Sequence, residues 1–553
     1  MKAKTGLNAL SNRPGLLLLL GLVVAVYISG LGGDFVIDDR TYFIDNDLLP
    51  GLRPWSFAGI FLRASNYWAE LLPVRDFFYV LQYQLFADSP FGYHLVSLLL
   101  YLLVIVAAWR LVAELCKLDD ADVPCFFPLF FALAFFALHP LHVESVAYIS
   151  GQKDLLCALF SFSSIIVALR LLNTHRFASK GRHFTLFITC YYAAFLSKNL
   201  AVATGLVITF LGVLCLLRNR NRWRFFVLGW FVINLPVLLW LFYNVSIAKN
   251  VWKGMDTLVV LSFGEKLVRG VRIMGEHFFL LVWPERLSFG YPFDPRGGFD
   301  VSFWCGFAGL LLLVLLLVRC RSWNIRFGAV LIIGFLLPIS QVFYDLNNAA
   351  IYDRYLFVPV LGAGMLLGEG LSRLSLKRSL QRPLLGLAFV VLFMLGFKTS
   401  DYIPAYHSDV AVSENSYILF PDWKLTSFNL AVSLVEAADF ERVRILLDSE
   451  PELSQPAWVP DYLLGWMALE EGQEANAVSS LRRSFLLAMD GGYFPYAALP
   501  LARGYRSMGN DLQALRVIEY VVNSRIYNPL DYYRARKLRE EIIQDLQKPG
   551  LGG

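Results

Sequence analysis

Long apolar runs dominate this chain, and polar residues crowd into the short stretches between them. Runs of about 20 apolar residues suit helices crossing a hydrocarbon core of ~30 Å. They fall near 14–31, 91–113, 125–139, 154–172, 184–197, 200–217, 224–243, 302–318, 327–343, 355–372 and 384–399. A further stretch, 264–283, mixes Lys266, Arg269, Arg272, Glu276 and His277 with apolar positions. It reads as an amphipathic helix lying in the membrane interface and not as a span. From residue 401 the pattern changes to polar, helix-periodic sequence with no span. The expected fold is therefore all-α: a polytopic helical membrane domain over 1–400, with about eleven crossings plus an interfacial helix. A short α-solenoid follows over 401–545.

The solenoid reading rests on register. Gly465, Ala468, Gly472, Ala477 and Leu481 form one unit, and Ala502, Tyr505, Gly509, Ala514 and Ile518 form another 37 residues on. Asn429, Ala431, Leu434 and Val443 fit a degenerate earlier copy, and Asn528-Pro529 is expected to close the last helix pair. Small residues at these positions suit tetratricopeptide-type helix pairs, whose helices touch closely. About three such pairs make a stable stack.

Composition supports a membrane protein. Hydrophobic residues make up 57% of the 553 and charged residues only 17%, far from the balance of a soluble domain. The net charge of +5 is too small to indicate nucleic acid once its location is seen. Arg170, Arg176, Lys180 and Arg182 share one loop; Arg218, Arg220, Arg222 and Arg224 share another. Arg319, Arg321 and Arg326 fill a third, and Arg373, Lys377, Arg378 and Arg382 the last. Such loops stay cytoplasmic, although the loop holding Glu114, Asp119, Asp120 and Asp122 beside Lys117 dissents. Residues 32–90, 139–154, 197–199, 244–300, 344–354 and everything past 400 then share the outer face. The seven cysteines lie in or beside apolar runs without CxxC spacing, and read as packing residues. Their absence from the outer face favours a bacterial inner membrane, with the endoplasmic reticulum as the alternative; the single sequon Asn244-Val-Ser246 does not decide.

The polar clusters carry the candidate chemistry. Asp38 and Asp39 follow the first span, and adjacency is expected to keep one carboxyl partly protonated, suiting a base. A divalent cation held by the pair, or a solvated helix-capping turn, are the alternatives; no other cofactor is expected. His139-Pro-Leu-His142-Val-Glu144 matches no established zinc spacing, so substrate contact, orientation of a base or a helix cap are the readings. Lys153-Asp154 is either a helix-start ion pair or a contact to substrate. Lys198 and Arg354 either snorkel or hold an oxyanion. Arg75 and His94 are weaker candidates, as are Trp252, Trp283 and Tyr291 for sugar stacking.

These segments together resemble the transmembrane and tetratricopeptide-repeat-containing O-mannosyltransferase family of the GT-C superfamily. The likeness runs through Phe35-Val-Ile-Asp-Asp-Arg-Thr-Tyr-Phe-Ile-Asp-Asn46, Leu72-Pro-Val-Arg75, Gly92-Tyr-His94, His139 to Asp154, Leu196-Ser-Lys-Asn199 and Asp353-Arg-Tyr-Leu356. Asn199 stands where the family usually has an acid, and Pro73 precedes Arg75 where the arginine usually precedes a proline. The resemblance implies transfer of a sugar from a polyprenyl-phosphate carrier to a hydroxyl of a polypeptide or glycan, within membrane lipid. Asp38, Asp39 and Glu144 would be catalytic; Arg75, His94, His139, His142, Lys153, Asp154, Lys198 and Arg354 would bind substrate. No metal and no nucleotide is implied. An O-antigen-ligase-like enzyme and a non-enzymatic membrane-anchored repeat scaffold are the alternatives.

Overall fold

A computed structural model describes residues 13–44, 46, 49–56, 59–60, 71–118, 126–173, 177–218, 223–251, 261–343, 350–375, 378–450, 453, 455–491, 495–523 and 529–547. Arg176, Arg220, Arg222, Lys377, Trp252, Asn528 and the Asp119, Asp120 and Asp122 loop lie outside them. The described residues are mostly helical, with no strand among them. They divide into two compact units. One comprises 1–61, 72–241 and 259–408; the other comprises 62–71, 242–258 and 409–553.

All eleven expected spans fall on helices of the first unit or run just past its bounds. Among the described residues seven helices are long and apolar enough to cross a bilayer, or eight if the bent pair Leu129–Ala137 and Pro140–Ala147 is one span. Asn199–Val213 and Gly229–Asn244 are shorter apolar helices, and the 184–197 segment lies in the helix Phe177–Ser197. The outward faces of Val301–Arg319 and Arg378–Tyr402 are almost wholly apolar, with Trp304, Phe307, Leu312, Phe389, Phe393 and Phe397 exposed. Large contiguous faces of this kind suit lipid and not water.

The expected span at 125–139 forms the helix Phe126–Ala137, and at its end the chain bends by 51° into Pro140–Ala147. Pro140 explains it: a residue preceding proline avoids the helical region, and His139 is extended at ψ 129°. The amphipathic segment forms the helix Phe263–Val282, begun by a Ser262–Glu265 capping box. Its charges do not face water as a surface-lying helix would place them. Arg269, Arg272 and His277 are buried, while Phe263, Leu267, Phe279 and Val282 are exposed. The reason is close packing: a Cβ on Gly275 would collide with the Ser302 carbonyl, and one on Gly306 with the Val271 carbonyl. Arg272 then finds Asp300 at 2.7 Å.

The dissenting acidic loop is explained at its described end. Glu114 pairs with Arg170 at 2.8 Å, which neutralises it and places the ends of Pro90–Cys116 and Gln152–Asn173 together.

The second unit contains helix pairs Lys424–Glu436 with Phe440–Ser449, Trp458–Glu470 with Glu474–Asp490, and Ala498–Ser507 with Asp511–Asn523. Ala477, Leu481, Ala502, Ala514 and Ile518 are fully buried. Each pair turns through a left-handed residue: Ala438 at φ 57°, Gly472 at 73° and Gly509 at 74°. After the last of these pairs, Pro529 opens a further helix, Pro529–Gln547.

Candidate active site

The loop after the first apolar helix forms a tight turn in which the Asp39 amide donates to the Val36 carbonyl at 2.9 Å. Ile37 sits in it at φ 52°, a conformation that β-branched residues rarely adopt. The turn aims the Asp39 carboxylate into the protein, where it is fully buried. Its Oδ1 accepts from the Ser150 amide at 2.7 Å and from the Ser150 hydroxyl. Its Oδ2 accepts from the amides of Val36 and Ile149, both at 3.3 Å. Burial pushes the Asp39 carboxyl up to about 8 against the pull of the Ser150 and Val36 donors, and the neighbouring Asp38 adds the smallest push. The expected mutual repulsion is therefore a minor cause. Asp38 itself is half-buried and makes no hydrogen bond among the described residues.

Arg75 and His94 hold this loop in place. Arg75 is fully buried and pairs with Asp76 at 2.8 Å, while its Nη1 donates to the Tyr42 hydroxyl at 3.4 Å. Tyr42 and Phe43 pack against Tyr79, and Phe43 against Tyr93. His94 packs on Gly33, where a Cβ would come within 3.1 Å of its ring. Both are engaged inside the protein and not directed toward the carboxylates.

The broken span supplies the next group. His139 caps the short turn Pro140–His142, accepting from the Leu141 amide. His142 is buried with both nitrogens committed. Nε2 meets the Phe357 carbonyl at 3.1 Å and so carries the proton; Nδ1 then accepts from the Tyr101 hydroxyl at 2.8 Å. The expected substrate contact at His142 is replaced by a structural tie to the segment that carries Arg354. Glu144, also fully buried, receives Arg354 twice, Oε1 from Nη1 at 2.7 Å and Oε2 from the backbone amide at 2.8 Å. Gly151 makes this approach feasible, because a Cβ there would lie 2.7 Å from the Glu144 carbonyl.

Asp154 opens the helix Gln152–Asn173 and pairs with Lys198, which follows the helix Phe177–Ser197. Lys153, beside it, is half-buried. The Lys198 ammonium lies 5.6 Å from the Tyr355 ring centre, and the Arg354 guanidinium lies 6.0 Å from the same ring. Arg354 also sits over Tyr352 at 4.1 Å. The Tyr291 hydroxyl donates to buried Asp353 at 2.6 Å, whereas Trp283 is exposed and donates to Glu285.

These pieces form one cluster. Glu144 lies within electrostatic reach of Arg354, Asp154 and Lys198, and Tyr148 and Tyr352 each feel both Asp38 and Arg354. Asp38, Asp39, Glu144, Asp154, Lys198 and Arg354 are thus gathered, while Arg75, His94, His139 and His142 support the elements carrying them. Ser150, Tyr352 and Tyr355 were not among the expected site residues. Ser150 and Tyr355 lie inside the His139–Asp154 and Asp353–Leu356 segments and Tyr352 directly precedes the second, which is the available signal. No group of three or more metal-ligating side chains is arranged to hold a cation among the described residues.

The chain is 26% identical over 379 residues to protein O-mannosyl-transferase F38B6.6 of Caenorhabditis elegans, covering 65% of this chain and 51% of that protein. The chain is related to the protein O-mannosyl-transferases. It is 30% identical over 166 residues to the human protein O-mannosyl-transferase TMTC2, covering 29% of this chain and 19% of that protein. The family resemblance in its motifs therefore agrees with its relatives, although the chain spans only about half the length of the worm protein. No protein-family model matches it. Among solved structures it resembles ArnT from Cupriavidus metallidurans bound to undecaprenyl phosphate, with a TM-score of 0.36, 15% identity and coverage of 93% of this chain and 81% of that one.

Proposed function

We propose that this protein is a GT-C-type membrane glycosyltransferase that moves a sugar, mannose by analogy with its relatives, from a polyprenyl-phosphate carrier to a hydroxyl of a polypeptide or glycan. The observation that carries this reading is the pair of cations flanking Tyr355, each matched to a buried carboxylate beside the Asp38–Asp39 turn. Buried ion pairs stabilise a fold poorly because both charges lose water. Lys198 and Arg354 nonetheless keep 12% and 15% of their side chains exposed, so an incoming phosphate reaches them.

In this mechanism Asp38 takes the proton of the acceptor hydroxyl, and the freed oxygen attacks the anomeric carbon. The bond from that carbon to the carrier phosphate breaks in the same displacement. Negative charge grows on the departing phosphate, where Lys198 and Arg354 stabilise it more than in the ground state. Asp39 anchors the turn, and Glu144 and Asp154 aim the cations. No metal step is needed in this scheme. The 409–553 unit presents the polypeptide acceptor, and the site faces the outer side of a bacterial plasma membrane.

Purified protein supplied with radiolabelled polyprenyl-phosphate mannose and an acceptor tests the reading. Transfer by the wild type, lost by 10²-fold or more in Asp38→Asn, is the expected result. Full turnover in Asp38→Asn removes the base, and no transfer by the wild type removes the function.

A further inference from the structure

Several buried polar atoms at the candidate site are left without partners, and two of them belong to residues beside Lys198. Asp154 is 4% exposed and gives Oδ1 to Lys198, yet its Oδ2 is buried with no hydrogen bond among the described residues. Asn199, one residue past Lys198, has a buried Oδ1 in the same condition. The Asp353 carboxyl differs, because two hydroxyls, those of Tyr291 and Tyr402, interact with it. Leaving a buried acceptor unmade costs its full desolvation, so such groups call for an explanation.

The chemistry of these atoms narrows what satisfies them. A carboxylate oxygen and an amide carbonyl oxygen only accept hydrogen bonds, so they repel phosphate oxygens and require donors. The absence of any metal-holding arrangement among the described residues leaves hydroxyl or amine donors. They sit beside Lys198 and on packed elements, since the Asn199–Ala201 turn contacts the helix Gln152–Asn173. The site therefore joins cations suited to a phosphate with acceptors suited to hydroxyls.

We propose that Asp154 Oδ2 and Asn199 Oδ1 form the subsite that accepts hydrogen bonds from the hydroxyls of the carrier-linked sugar. This rests on the glycosyltransferase reading and assigns the two halves of its donor. The sugar lies at the Asp154–Asn199 end, and the phosphate is shared by Lys198 and Arg354. A site built to bond a hydroxyl discriminates strongly against a ligand lacking it, because its buried acceptors stay unmet. The same logic predicts that an acid at position 199 is tolerated, since it preserves the acceptor.

The test measures binding of citronellyl phosphate and citronellyl-phosphate mannose to the full-length protein in detergent. The wild type binds the mannosylated probe more tightly. Asn199→Ala weakens that probe about tenfold, the loss expected for one buried hydrogen bond, and leaves the bare phosphate unchanged. Asn199→Asp keeps the preference. Equal loss of both probes in Asn199→Ala, or no loss of either, overturns the subsite and points to bridging water at those oxygens. A wild type that binds both probes equally overturns the subsite alone. One that binds neither overturns the glycosyltransferase reading with it.

Discussion

Asp39 sits in a pocket that supplies four donors to its carboxyl yet excludes water from it. Burial prevails, holding the group up at about 8, above the ~3.9 of an unfolded aspartate. The folded state therefore binds this proton more tightly than the unfolded state. Its contribution to stability is complete below pH ~4 and is lost as pH rises through about 8. Relative to Asp39→Asn, the wild type is expected to lose thermal stability across that window, measured by melting in detergent from pH 4 to 9. A parallel decline in both proteins would refute the assignment. Glu144 and Arg354 admit a second residue-scale prediction. Arg354→Ala strands a buried carboxylate and costs about 3–5 kcal/mol. Glu144→Gln with Arg354→Met restores much of that stability while turnover stays absent, as paired melting and transfer measurements would show. Recovery of transfer as well would make the pair purely structural.

At the scale of elements, two backbone positions decide whether the parts meet. Gly151 lets the Ile149–Gly151 turn lie against the Val143–Ala147 helix, so its neighbour Ser150 reaches Asp39 while Glu144 reaches Arg354. Gly151→Ala is expected to cost about 1–3 kcal/mol by overpacking and to depress transfer, since the two carboxylates are displaced together. Normal melting and normal turnover would contradict this. Ala438 occupies the left-handed turn that Gly472 and Gly509 occupy in the following helix pairs. An L-residue pays about 1 kcal/mol for that conformation. Ala438→Gly is thus expected to raise stability by several tenths of a kcal/mol, net of the extra chain entropy of glycine. A lower melting temperature would sink the idea.

At the scale of the molecule, lipid and protein divide the surface between them. The outermost helices show aromatic and branched side chains, while charge is drawn inward to one cluster, as expected where an ionisable group inside a bilayer is costly unless paired. Single cysteines placed at Arg40, Lys153 and Asn199 in a cysteine-free background should react with a membrane-impermeant reagent from the same side of sealed vesicles. Labelling of Arg40 and Lys153 from opposite sides would disprove the shared site.

Periodicity was enough to place the helices, because a bilayer demands long apolar runs and a helix pair repeats its contacts at fixed spacing. The same local signals marked the segments of the site, since charges beside spans are rare. They were silent on which side chain faces which. His142 and Glu144 stand two residues apart in similar surroundings, yet one ties to a backbone carbonyl and the other to Arg354. Local sequence determined where the polar segments lie along the chain. Only tertiary packing, which brings residue 39 to residue 150 and residue 144 to residue 354, decided that Asp39 is buried among four donors, that Asp38 stays half-buried, and that acceptor oxygens of Asp154 and Asn199 lack a donor.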